Sequence, residues 1–206
     1  YVFEDDYDSE FRHTGAPLPA MASLDDRRVV LIGSTSKILS PALRLGYLVL
    51  PADAALREAI TAIRTDETCP VPTLTQAAIA QLLANGTVRR GIAAARRDYA
   101  HRRGLVLAQL GELSGTHLSA LDGGLHAVLR FEDRARETAV VAELAARGVA
   151  VAPLSSYSLD PTRGPAGIVF GYAAPGDLDL ATGLRHVAEV VAACASKGRQ
   201  RARTQA

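Results

Sequence analysis

Apolar and polar positions along the chain change period several times, and each change predicts an element. Tyr1 to Glu4 reads as a short strand that ends at an acidic turn, and His13-Thr14-Gly15-Ala16-Pro17-Leu18-Pro19 reads as a loop by its Gly and Pro content. Val29 to Gly33 is a continuous apolar run, the pattern of a strand covered on both faces, and Leu45 to Leu50 is a second one. Pro51-Ala52-Asp53 then opens a helix to about Arg64, with Leu56, Ile60 and Ile63 on one face. Cys69-Pro70-Val71-Pro72 is a rigid break. A helix from Thr73 to Ala84 follows, ended by Asn85-Gly86, and a long helix from about Val88 to Leu113 comes next.

The remainder alternates strand and helix. Thr116 to Ser119 and Gly124 to Phe131 are strands, the second half-buried by its alternation. Glu137 to Arg147 is a helix closed by Gly148, and Val149 to Ala152 is a strand stopped by Pro153. Ile168 to Tyr172 is a strand, and Leu178 to Ala195 is an amphipathic helix. This pattern predicts antiparallel strands covered by helices.

Composition narrows the function classes. The 206 residues suffice for one large or two small domains, and 48% hydrophobic content is ample for a core. A net charge of +1 gives no overall nucleic-acid footprint. The basic tail Lys197-Gly198-Arg199-Gln200-Arg201-Ala202-Arg203 reads as a disordered, solvating end rather than a DNA arm. Cys69 and Cys194 have no metal or redox spacing, so neither a disulfide framework nor a zinc site is expected, and a reducing cytoplasm fits. No signal peptide appears, and no apolar run reaches the ~20 residues of a membrane span. The opening Tyr1-Val2-Phe3 has no lead-in and no initiator Met, so a fragment is expected.

The chemistry concentrates in Ser34-Thr35-Ser36-Lys37-Ile38-Leu39-Ser40-Pro41-Ala42-Leu43-Arg44-Leu45-Gly46-Tyr47. A lysine delivered by one apolar run and followed by another is costly to desolvate as an ammonium. It is expected to be neutralised, paired or covalently used. The neighbouring hydroxyls and the Arg44 guanidinium suit a phosphate, and lysine with phosphate-binding groups suggests a Schiff base with pyridoxal phosphate.

Ser34-x-Ser36-Lys37 followed by Leu43-Arg44-Leu45-Gly46-Tyr47 resembles the lysine segment of fold-type I pyridoxal-phosphate aminotransferases (class I/II). With Glu4-Asp5-Asp6-Tyr7-Asp8-Ser9-Glu10-Phe11-Arg12, nearly the whole chain to about Ala193 resembles the aminotransferase-like domain of MocR/GabR-type transcription regulators. The resemblance implies an α/β fold: the end of the cofactor-binding large domain, with a mixed and mostly parallel sheet, plus a small α+β C-terminal domain. The corresponding boundaries are 1–90 for the large-domain part, 91–115 for an interdomain helix, 116–196 for the small domain and 197–206 for the disordered tail. Family members carry a longer N-terminal part of the cofactor domain, and the regulators a winged helix-turn-helix before it, through which DNA would be bound; no membrane partner is implied. Fold-type I sites form at a dimer interface, which implies a homodimer.

Residue by residue, the resemblance makes Lys37 the catalytic, Schiff-base lysine, against a plain strand-end lysine. Arg44 and the hydroxyls of Ser34 and Ser36 take the phosphate, although serine at a turn also caps. Ser34 and Thr35 stand where the family more often has Thr and Phe. Asp5 is the partner of the pyridine nitrogen and Tyr7 of the ring hydroxyl. The wider aminotransferase spacing would select Glu4 instead of Asp5, and an acidic solvated turn is the plain alternative. Arg12 is expected in a structural ion pair. His126 matches a histidine frequent in the regulators and equally suits a structural role. Tyr157 lies in a loop that lines the substrate side in relatives. Aminotransferases usually bind the substrate carboxylate with an arginine where this chain has Val169, and Arg163 is the candidate to reach in from the preceding loop. No metal is expected.

Three functions remain open on this reading. The first is a regulator's effector domain, in which an amine or amino acid exchanges with the Schiff base on Lys37. The second is a genuine aminotransferase of amino acids, with Lys37 as proton shuttle. The third is a non-catalytic structural fragment. The same cofactor contacts serve the first two.

Overall fold

In the computed structural model the described residues are 1–16, 18–67 and 71–204, with side chains described as far as 195. Pro17, and the Cys69-Pro70 part of the expected break, lie outside them. The chain divides into two compact units, Tyr1–Arg96 and Arg97–Ala206.

The first unit holds β1 (Val2–Asp6), β2 (Val29–Ser34) and β3 (Gly46–Val49), followed by α1 (Ala54–Asp66), α2 (Thr73–Ala84) and the first part of α3 (Thr87–Leu110). The sheet order is β1-β2-β3, with β1 and β2 parallel and β2 and β3 antiparallel. The parallel register sets Asp5 against Ile32 and Asp6 against Gly33. Val29 and Val30 are buried, as the apolar run predicts. The run around β3 departs from expectation: the four residues of β3 are all exposed, because β3 is an edge strand paired on one side only. The Tyr47 ring packs over Gly33, its cross-strand neighbour, so that a Cβ there would lie 2.1 Å from Tyr47 Cζ and the ring would have to shift. α1 starts where the sequence predicts, the Asp53 carboxylate accepting from the Leu56 N–H at 2.9 Å. Of its expected apolar face, Ile63 is exposed.

The second unit holds the rest of α3, β4 (Thr116–Ser119), β5 (His126–Phe131), α4 (Arg134–Ala146), β6 (Ala152–Pro153), β7 (Ala166–Gly171) and α5 (Asp177–Thr204). Its four-stranded sheet has the order β4-β5-β7-β6 and is antiparallel throughout. Val106 and Leu110 of α3, Leu129, Val140, Leu144, Ile168, Leu184 and Val190 form a continuous core. Tyr172 is fully buried and donates its hydroxyl to the Gly124 carbonyl at 2.9 Å. Of the expected Val149–Ala152 strand only Ala152 is paired, and β6 includes Pro153, the residue expected to stop it. α5 passes the predicted end at Ala195 and its backbone stays helical to Thr204. Arg, Lys, Gln and Ala all favour helix, which suits a helical continuation. Among the described residues no helix is long and apolar enough to cross a membrane.

Candidate functional site

The fold of the first unit brings the two sequence motifs together at the carboxyl ends of the parallel pair β1 and β2. β1 ends at Asp6 and β2 at Ser34, so the acidic turn and the lysine loop both emerge at that end. Lys37 Nζ lies 5.9 Å from the centre of the Tyr7 ring, within cation–π range. Lys37 is one of only two lysines in the chain, Lys197 being the other.

Thr35 builds the lysine loop. It is buried, and both its N–H (3.0 Å) and its hydroxyl (2.8 Å) donate to the Leu45 carbonyl. Its own carbonyl accepts from Leu39 N–H at 2.9 Å and Ser40 N–H at 3.2 Å. The loop from 35 to 45 is thereby closed at its base and holds Lys37 and Arg44 within one turn system. Ser34 Oγ accepts from the Ser36 N–H at 3.1 Å, which leaves its own proton available to donate. Ser40 caps the Pro41–Leu43 turn through the Ala42 N–H at 3.2 Å. Arg44 follows in the left-handed region, at φ 48° and ψ 35°. Arg44 is exposed and makes no ion pair among the described residues.

On the acidic side the two carboxylates left open by spacing behave differently. Glu4 accepts from the N–H groups of Met21 (2.9 Å) and Ala22 (3.2 Å), capping a 3-10 turn. Asp5, on the opposite face of β1, accepts no hydrogen bond among the described residues. Burial raises the Tyr7 hydroxyl pKa, and the hydrogen-bonded Asp8 carboxylate raises it further. Burial likewise raises Tyr47, with Asp6 and Glu10 adding to it. Arg12 is not the ion-pair residue expected. Its Nε donates to the Thr14 carbonyl at 2.8 Å, and no ion pair to it occurs among the described residues. The ion pair of this motif belongs to Glu10, whose Oε2 lies 2.5 Å from Arg96 Nη2, and Arg96 Nε also donates to the Glu10 carbonyl. No sequence signal links these two, which are 86 positions apart.

In the second unit Tyr157 ends a 3-10 turn, Leu154–Tyr157, and is exposed. Arg163 is also exposed and makes no side-chain hydrogen bond among the described residues. Val169 sits in β7 opposite Val128 and Ala152. His126 opens β5 opposite Gly171. Sequence reasoning misses Glu137, the buried carboxylate of this unit. A Glu in a first helical turn reads as a surface residue answering the helix dipole.

The chain is 38% identical over 190 residues to the HTH-type pyridoxine biosynthesis transcriptional regulator PdxR of Corynebacterium glutamicum, covering 92% of this chain and 41% of that protein. It is 32% identical over 208 residues to the probable rhizopine catabolism regulatory protein MocR of Rhizobium meliloti, covering 96% and 40%. The chain thus spans about two-fifths of the length of these curated relatives. No family model matches it. Among solved structures it resembles the multiple substrate aminotransferase of Thermococcus profundus, with TM-score 0.80 and 24% identity, over 95% of this chain and 48% of that one. It also resembles the α-aminoadipate aminotransferase LysN of Thermus thermophilus, solved with N-(5'-phosphopyridoxyl)-L-leucine, at TM-score 0.78 and 22% identity, over 95% and 51%. The chain is therefore homologous over about nine-tenths of its length to MocR/PdxR-type transcriptional regulators and has the fold of the fold-type I aminotransferases.

Proposed function

We propose that this chain is part of the pyridoxal-phosphate-binding effector domain of a MocR/PdxR-type regulator, in which an amine or amino acid competes with Lys37 for the cofactor. The observation that carries the reading is the meeting of Lys37 with Tyr7, 30 positions apart, at the carboxyl ends of β1 and β2. When bound, pyridoxal phosphate supplies an aldehyde carbon that takes up amines and a ring that withdraws electrons.

The residues present fit that group. Lys37 is the amine that attaches it. Asp5, with no competing partner among the described residues, is open to the pyridine nitrogen, whereas Glu4 is committed to its turn. Tyr7, held protonated by its raised pKa, donates to the ring hydroxyl. Arg44, Ser36 and the free proton of Ser34 bind the phosphate. Tyr157 and Arg163 contact the effector, Arg163 through a carboxylate. Residues 1–90 serve as the end of the large domain, 91–115 as the interdomain helix and 116–196 as the small domain. Dimerisation completes the site, and DNA is bound by a winged helix-turn-helix domain outside this segment. Similarity to a pyridoxine biosynthesis regulator makes vitamin B6 genes the first promoters to test.

The test is borohydride reduction of the intact protein with pyridoxal phosphate, followed by peptide mapping. The label is expected on the Lys37 peptide and is expected to vanish in Lys37→Ala. Label on Lys197 alone, or none, overturns the reading. A genuine aminotransferase is the second reading, favoured by the aminotransferase identity of the solved neighbours. Sustained keto-acid release from an amino acid would select it. Val169, at the position where aminotransferases usually carry a carboxylate-binding arginine, weighs against it.

A further inference from the structure

Among the described residues of the first unit, Thr35 is the one buried polar side chain, at 3% exposure. It stands two positions before Lys37, just past the last β2–β3 pair, Ser34 with Gly46. Its N–H extends that ladder by one bond, to the Leu45 carbonyl at 3.0 Å. Its hydroxyl doubles the bond, reaching the same carbonyl at 2.8 Å. Leu45 is the residue directly after Arg44, so the doubled bond joins the two ends of the segment that carries both Lys37 and Arg44. From Thr35 the bonding continues inside the segment. The Thr35 carbonyl accepts from Ser40 N–H at 3.2 Å, the Ser40 carbonyl from Leu43 N–H at 3.2 Å, and the Pro41 carbonyl from Arg44 N–H at 3.3 Å. Arg44 ends this run in the left-handed region, at φ 48°. A residue other than glycine keeps that conformation where the structure around it fixes the backbone.

Resting on the phosphate-binding role proposed above for Arg44, we propose that Thr35 is a positioning residue for cofactor selection. Its hydroxyl fixes the spacing between the Lys37 amine and the Arg44 guanidinium. A ligand that carries both an aldehyde and a phosphate meets both groups at once, and the same aldehyde without the phosphate gains nothing from Arg44. The hydroxyl is not needed to satisfy Leu45, whose carbonyl keeps the Thr35 N–H. Its loss therefore leaves no orphaned backbone acceptor and loosens only the base of the loop.

The test compares two probes on the intact protein: pyridoxal phosphate, and pyridoxal, the same aldehyde without the phosphate. Both condense with the Lys37 amine in the same way, a C=N bond forming as the aldehyde oxygen leaves as water, so the comparison isolates the phosphate. The readout is the concentration of each that half-labels the Lys37 peptide on borohydride trapping. Wild type is expected to prefer pyridoxal phosphate, and Arg44→Ala to lose that preference. Thr35→Val keeps the shape and removes the hydroxyl. It is expected to reduce the preference about fivefold, the scale of one neutral hydrogen bond, with the pyridoxal value unchanged. Thr35→Ser restores the preference. Ser40→Ala, which uncaps the turn before Arg44, shifts the ratio in the same direction by less, and it decides the matter if Thr35→Val does not fold. Adding Thr35→Val to Arg44→Ala changes the ratio no further. Should Thr35→Val weaken both probes equally, or should it and Ser40→Ala keep the preference that Arg44→Ala loses, the positioning role is overturned and the reading of Arg44 stands. If Arg44→Ala keeps the preference, the reading of Arg44 falls and the positioning role falls with it. If neither probe labels Lys37 in wild type, the cofactor reading itself is overturned.

Discussion

Glu137 sits in opposing fields. Burial pushes its carboxyl pKa up, but hydrogen bonds from Ser155, Gly167 and Arg134 favour the anion more strongly and leave it below the ordinary carboxylate value. A carboxyl depressed in the folded state stabilises the protein fully above its unfolded pKa, and the contribution is lost as pH falls through the folded pKa. Glu137→Gln is therefore expected to cost about 2–3 kcal/mol near neutral pH. The gap to wild type should narrow steadily below the usual carboxylate range, as read from unfolding midpoints across acid pH; a gap that widens on acidification would contradict this. At this scale the sequence marks candidates by their neighbours, as with Lys37 among hydroxyls, Arg44 after it and Asp5 beside Tyr7. It is silent on residues defined by distant partners. Glu10 meets Arg96 and Glu137 meets Gly167 only because the chain folds, and Arg12 gives up its expected ion pair for a local carbonyl.

Helices were the most legible elements, because capping and periodicity are local properties. Asp53 before an apolar stripe predicts the start of α1, and its carboxylate accepts from Leu56 N–H. Asp53→Ala is expected to cost about 1 kcal/mol. A thermal melt of the intact protein checks this, and no loss would mean that the first turn is held by other contacts. α2 matches the predicted Thr73 to Ala84 at both ends, set by Pro72 before it and Asn85-Gly86 after it. Strands were less legible where their environment is not written in the run itself. The apolar stretch of β3 looks like a central strand and forms an exposed edge, while the Val149–Ala152 stretch contributes only Ala152 to β6.

The two units differ in how much of their apolar surface they cover. The antiparallel sheet of the second unit is packed by α4, α5 and α3 residues into a continuous core. In the first unit Val2, Phe3, Leu48 and Val49 of the three-stranded sheet remain exposed. Amide hydrogen exchange of this chain is expected to be slowest in β5 and β7 and much faster in β3, since protection follows burial and pairing on both sides. Equal protection in the two sheets would contradict that ranking. Arg44 adds a consequence of a different kind. A left-handed arginine carries a backbone penalty of about 1–2 kcal/mol that glycine would not. Arg44→Gly should therefore raise the melting midpoint of the cofactor-free protein while weakening its hold on pyridoxal phosphate, measurable as faster cofactor loss on dialysis. Selection for thermal robustness alone would favour glycine here, and the phosphate-binding role proposed for Arg44 is a demand of the opposite sign.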